Sequence, residues 1–167
     1  MGWTYAKYLL TYERTSEARV GAATAALSFL KEIAATEKKG GRPLADDSLF
    51  AARIARVEID LENMKTTNLR VLAGSGSSAA PLELSAMLKI RGTEIRQELA
   101  ALARIALGPY AQPFVSEALD ENFRGEQVGP DYAAGIAARY LNERKLSIYA
   151  GSNEVQREII AKLSLEL

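Results

Sequence analysis

The pattern that constrains this chain most is the run Phe50, Ile54, Val57, Leu61 and Met64, apolar residues stepping alternately by four and three positions. That spacing returns every side chain to one stripe of a helix, and the stripe requires a second apolar surface to cover it. Neighbouring segments repeat the requirement. Leu84, Leu88, Ile95, Leu99 and Leu102 share a helical face downstream, while Tyr5, Leu9, Tyr12, Val20, Leu27 and Leu30 approximate one upstream. Between them stand Gly40-Gly41-Arg42-Pro43, Gly74-Ser75-Gly76-Ser77-Ser78 and Gly108-Pro109, all breakers.

The chain therefore reads as one long helix from Trp3 to about Lys38, then a second started by a cap at Asp46 or Asp47. Pro81 opens a third that ends at Gly108, residues 110–130 are irregular, and Asp131 caps a fourth running through Tyr140 to about Arg144. A last helix closes the chain. No stretch alternates strictly over a length that would build a sheet. The expected architecture is all-α, an up-and-down helical bundle of four long helices plus a C-terminal helix, in a single domain over residues 1–167. Trp3, Tyr5, Tyr8 and Tyr12, at near-helical spacing, could line an apolar ligand pocket but read more readily as core.

Composition narrows the chemistry. Lys plus Arg equals Asp plus Glu at 21 each, without the basic excess that nucleic-acid binding requires. The chain has no His and no Cys, which excludes disulfides, thiolate chemistry, His- or Cys-ligated metals and a Ser-His-Asp mechanism. Acid/base work must fall to Glu, Asp, Lys or Tyr. No apolar run reaches the roughly 18 residues of a membrane span, and the N-terminus lacks the pattern of a secretory signal. A cytoplasmic protein is expected. Asp46-Asp47 reads as a helix cap rather than a metal pair, and Glu58, Asp60 and Glu62 alternate, so a helix sends them to different faces.

The tail, Ser147-Ile148-Tyr149-Ala150-Gly151-Ser152-Asn153-Glu154-Val155-Gln156-Arg157-Glu158-Ile159-Ile160-Ala161-Lys162, is a turn that opens a helix. Gly151 permits a sharp reversal, and Ser152 or Asn153 can cap the orphan N–H groups that follow. Val155, Ile159, Ile160 and Leu163 supply an apolar face. A helix N-terminus beside small residues is also a ready anion site, although a capped helix packed on a bundle accounts for the same residues.

The tail resembles the C-terminal signature of the acyl-CoA dehydrogenase family: a tyrosine, a variable residue, then Gly-Ser/Thr-Asn-Glu-x-Gln-Arg-x-Ile-Ile-Ala. Residues 2–14, Gly-Trp-Thr-Tyr-Ala-Lys-Tyr-Leu-Leu-Thr-Tyr-Glu-Arg, resemble the first helix of that family's C-terminal domain, and Lys89-Ile90-Arg91-Gly92-Thr93-Glu94-Ile95 resembles a segment common in one branch. The likeness spans the chain but only the last of the family's three domains. The preceding helical and β domains are expected to be absent from it. The resemblance implies oxidation of an acyl-CoA to the trans-2-enoyl-CoA, FAD as cofactor, an electron-accepting partner protein, and homo- or hetero-oligomers formed through the bundle. It also implies that the isolated domain is inactive, because the family holds its flavin between the β domain and this bundle.

The family's chemistry needs a carboxylate held against the weakly acidic α-proton of the thioester, in a desolvated pocket that raises its pKa. Most members place that base, a Glu, just before the Gly of the tail signature; here that position is Ala150. A minority carry the base on the first helix of the domain, directly before an Arg. Glu13-Arg14 matches that arrangement, making Glu13 the base and Arg14 its orienting neighbour. Two other readings stand beside it: a non-catalytic subunit of a heteromeric dehydrogenase, with Glu13 an ordinary solvated residue, and a purely structural interaction bundle. For the cofactor, Gly151, Ser152 and Glu154 match the positions through which the family contacts flavin, and Gln156 with Arg157 completes the signature. No metal is implied. Two departures weaken cross-subunit flavin contacts: residues 37–43 read Glu-Lys-Lys-Gly-Gly-Arg-Pro where many members carry Arg-x-x-Phe, and Leu107-Gly108-Pro109-Tyr110 replaces a Gly-Gly-x-Gly element. Lys38, Lys39 and Arg42 read as a solvated basic turn.

Overall fold

The computed structural model describes residues 2–13, 18–75, 81–120 and 122–165, with only the backbone of 7, 9–13 and 75. The bundle is all-α: α1 (Gly2–Glu13), α2 (Val20–Thr36), α3 (Ser48–Ser75), α4 (Leu82–Leu107), α5 (Ala134–Glu143) and α6 (Asn153–Ser164). A two-residue antiparallel pair, β1 (Lys38–Lys39) with β2 (Arg42–Pro43), turns the chain between α2 and α3, with Lys38 opposite Pro43. Gly40 and Gly41, both at positive φ (60° and 82°), supply that turn.

The seam behaves as its spacing requires. Phe50, Ile54, Val57, Leu61 and Met64 of α3 are all buried, and they meet Leu27, Leu30 and Ile33 of α2 and Leu88, Ile95, Leu99 and Leu102 of α4 in one core. Helix α4 is the central element and packs against α2, α3, α5 and α6. Asp47 caps α3, its Oδ1 accepting from the Leu49 and Phe50 N–H groups at 3.1 Å each. Its Oδ2 takes Lys39 Nζ at 2.7 Å, and its carboxyl is held below the usual value chiefly by Lys39 and then by the Phe50 N–H.

Three local expectations are corrected. The first helix is not continuous from Trp3 to Lys38: α1 is described to Glu13, and Arg19 precedes α2 in the left-handed region at φ 46°. Helix α4 meets the chain at this point. A Cβ on Gly92 would come within 2.8 Å of the Ala18 carbonyl oxygen, so the chain dips onto α4 at the wholly buried Ala18 before α2 begins. Gly21 stands two residues beyond Arg19 but lies inside α2, and the residue that permits the close approach of Ala18 sits on the partner helix. Asp131 does not cap the fourth helix. Pro130 accepts from the Ala133 N–H at 2.8 Å, and α5 starts only at Ala134 with no side-chain cap. Trp3, Tyr5 and Tyr8 are exposed rather than core, and the side chain of Tyr12 lies outside the described residues.

Glu58, Asp60 and Glu62 diverge as their alternation requires, to Lys31 (2.6 Å), Arg91 (2.7 Å) and Lys65 (2.6 Å) respectively. No helix among the described residues is long and apolar enough to cross a membrane.

Candidate functional site

Helix α6 starts from an unusual turn. Ala150 sits at φ 55° and Gly151 at φ 83°, two consecutive left-handed residues of which only the glycine adopts that conformation without steric cost. Ser152 is then the cap, in extended conformation, with Oγ accepting from the Val155 N–H at 3.4 Å. Glu154 lies in the first turn, where a carboxylate suits the positive end of the helix. Its carboxyl is held below the ordinary value first by its own backbone N–H and then by the Ser152 hydroxyl, with Arg157 and Lys89 contributing.

The buried face of α6 is only partly the one its apolar residues predict: Ile159 and Ile160 are half-buried. Val155 is 47% and Leu163 54% exposed, whereas Asn153 and Gln156 are buried at 5% and 4%. The partners explain why polar residues share that face. Lys89 of α4, itself 3% exposed, donates from Nζ to Asn153 Oδ1 at 2.8 Å. Gln156 lies directly beneath the turn: a Cβ on Gly151 would clash with its Nε2. Its Oε1 is buried with no hydrogen-bond partner among the described residues. Gly151, Ser152, Glu154 and Gln156, singled out from the sequence, thus meet at one helix N-terminus.

Sequence reasoning missed the supports of this turn. Gln97 of α4 donates from Nε2 to the carbonyls of Glu143 (3.0 Å) and Arg144 (3.3 Å), and the Thr93 hydroxyl donates to the Leu146 carbonyl at 3.3 Å. Glu143 is a buried carboxylate shared by Arg139 (3.3 Å) and Arg96 (3.5 Å). Arg157 reaches back to Glu94 at 3.2 Å, which also holds Arg91 at 2.9 Å. The segment 89–95, whose likeness to one family branch was noted without a role, is therefore the surface on which the tail is seated. Lys89, Thr93 and Gln97 recur every fourth position of α4, and that spacing was the available signal.

Glu13 is the last described residue of α1, but its side chain and the whole of Arg14 lie outside the described residues. The two replaced elements converge elsewhere: residues 37–39 and 107–110 line one cleft of about 540 Å³ with Leu49, Phe50 and Arg53. Lys38, Lys39 and Arg42 are exposed on its hairpin. Among the described residues no group of His, Cys, Asp and Glu is placed to hold a metal.

Residues 1–165 match the family model for the acyl-CoA dehydrogenase C-terminal domain. Solved structures agree. The ChsE4-ChsE5 complex from Mycobacterium tuberculosis superposes with a TM-score of 0.76 at 26% identity, over 100% of this chain and 41% of that one. An acyl-CoA dehydrogenase from Geobacillus kaustophilus gives 0.75 at 24% identity, over 99% and 39%. Butyryl-CoA dehydrogenase from Megasphaera elsdenii gives 0.73 at 19% identity, over 98% and 39%. The chain thus spans about two fifths of the length of these structures. No curated protein sequence matches it.

Proposed function

The chain belongs to the acyl-CoA dehydrogenase family as its C-terminal domain, and from that premise we propose that it completes a flavin-dependent enzyme whose α6 N-terminus forms one edge of the FAD site. The carrying observation is the turn itself: a capped helix N-terminus, a buried acceptor without a partner among the described residues and a glycine at positive φ seated on Gln156, gathered at one point. Those residues fit a hydrogen-bonding, partly anionic ligand edge. Ser152 and the Gly151 backbone would contact the cofactor directly, Glu154 would hold Ser152 in place, and Gln156 would support the turn from beneath. A bound flavin supplies the acceptor for the β-hydride, so that the substrate leaves as the trans-2-enoyl-CoA.

Proton removal falls to Glu13. Ala150, at the family's usual base position, has no ionisable group, whereas Glu13 of α1 directly precedes Arg14 in the sequence. The Arg14 guanidinium stabilises the ionised carboxylate between turnovers, and substrate binding excludes water and raises the proton affinity of Glu13. Acyl-CoA is the substrate, an electron-accepting protein takes the reducing equivalents, and the helical and β domains that complete the flavin site lie outside these residues. The domain alone is inactive for that reason. Self-association through the bundle faces supports the assembly.

The discriminating experiment is anaerobic flavin bleaching by a panel of acyl-CoAs in the flavoprotein that carries this domain, wild type against Glu13→Gln. Bleaching that disappears in the variant while ligand binding persists establishes Glu13 as the base, with a loss of at least about a hundredfold. Equal bleaching in both removes Glu13 from the mechanism. A second reading, a non-catalytic subunit paired with an active one, is favoured by Ala150 and by the two-component complex among the similar structures. Bound flavin that no acyl-CoA bleaches would select it.

A further inference from the structure

Lys89, Thr93 and Gln97 stand four residues apart on α4 and therefore share one helical face. Each rung meets a successive point of the segment that enters α6. Gln97 takes the carbonyls of Glu143 and Arg144, Thr93 the Leu146 carbonyl, and Lys89 the Asn153 side chain. Arg144 answers from the other side, its Nη2 donating to the Gln97 carbonyl at 3.0 Å. Between the Thr93 and Lys89 rungs lie residues 147–152, and with them the left-handed pair Ala150-Gly151.

Two features separate this ladder from ordinary helix packing. First, two of its rungs, Lys89 and Thr93, are buried and polar and Gln97 is half-buried, although α4 meets α2 and α3 largely through aliphatic residues; buried polar groups are costly unless their partners are fixed. Such bonds are directional and specify the shape of the segment they hold. Second, the held segment contains an alanine in a region alanine disfavours, and that conformation persists only where the surroundings over-determine it. Gln156 closes the cage from below by seating against Gly151.

We propose that Lys89, Thr93 and Gln97 are positioning residues that hold the 146–153 segment, with its left-handed Ala150-Gly151 turn, in the shape that presents the α6 N-terminus to flavin. This rests on the flavin reading above and adds to it a device: α4 pre-organises the turn before the cofactor arrives, so less ordering is required at binding. Lys89 acts through Asn153, and Thr93 through the Leu146 carbonyl. Neither has to touch the ligand.

The test is hydrogen exchange on the 167-residue chain, comparing wild type with Thr93→Val, which keeps the shape of the side chain and removes the donor, and with Lys89→Met. The ladder predicts that amides in residues 149–156 exchange faster, by on the order of tenfold or more for the loss of one such bond, while α2 and α3 amides stay within about twofold. Unchanged exchange at 149–156 in both variants, or an even increase across all helices, overturns the proposal. Should Lys89→Met fail to fold, the milder Thr93→Val decides. FAD titration of the flavoprotein carrying the domain then tests the second half. Weaker FAD binding in the loosened variant supports positioning, and unaltered affinity overturns it. A wild-type protein that binds no FAD defeats the functional reading, whereas the exchange pattern still decides whether the ladder holds the turn.

Discussion

The two faces of α4 are built on opposite principles. Toward α2 and α3 it presents Leu88, Ile95, Leu99 and Leu102, and the contact is a dry aliphatic seam with its ion pairs, such as Arg53–Glu98 at 2.7 Å, kept at the rim. Toward the tail it presents Lys89, Thr93 and Gln97, with Arg96 on Glu143 beside them. Aliphatic contact is strong and non-directional, so it stabilises the bundle without specifying any loop. Polar contact contributes less net energy but fixes the path of the chain it touches. The bundle thus divides the work, with stability on one side of its central helix and shape on the other.

The largest effect separating the two faces is expected at Leu61, wholly buried in the α3 seam. Leu61→Ala should lower global stability by about 3 kcal/mol. In urea unfolding it should move the midpoint at constant slope, while the relative exchange protection of residues 149–156 is retained. A local change at the tail instead would break the proposed division.

Gly151→Ala probes the other face. The new Cβ must displace the Gln156 amide and adopt φ near 83°, costing about 1–2 kcal/mol for the left-handed conformation. The loss should appear as faster exchange confined to the α6 N-terminus. A stability unchanged from wild type would show that the turn is not constrained from below.

The smallest effect belongs to the latch that ties the irregular 110–133 connection to the apolar side. Tyr132 packs edge-on against Phe29 with ring centroids 6.2 Å apart, and its hydroxyl donates to Glu37 Oε1 at 2.7 Å. The Glu37 carboxylate raises the phenol from 10.0 to about 12. A group whose folded value is raised stabilises fully below its unfolded value and loses that contribution as pH rises through the folded one. Wild-type stability should therefore fall between pH 10 and about 12 through this group. Tyr132→Phe should cost about 1 kcal/mol at neutral pH and abolish that part of the alkaline decline, as thermal unfolding across pH would show.

Much of this was legible in the residues. The four-and-three stepping of α3 placed its buried side chains individually, the Asp47 cap was readable from its position, and the tail motif placed Gly151, Ser152, Glu154 and Gln156 at one helix start. Less legible were features whose cause lies on another element. The close approach of Ala18 before α2 depends on Gly92 of α4, and the burial of Asn153 depends on Lys89. Trp3, Tyr5 and Tyr8 misled because aromatic spacing reports a helical face without reporting whether anything covers it.

By itself, then, the sequence determined the helical class, the order of its elements and the cluster at the α6 start, because periodicity, breakers and caps act over a few neighbouring residues. Tertiary structure alone decided which face of α6 is buried, how Ala18 seats on α4 before α2 and how Ala150 is held left-handed. Each of those outcomes rests on a contact between residues distant in the chain: Lys89 with Asn153, Gly92 with Ala18, Thr93 with Leu146. No local pattern encodes such a contact until the bundle has brought both partners together.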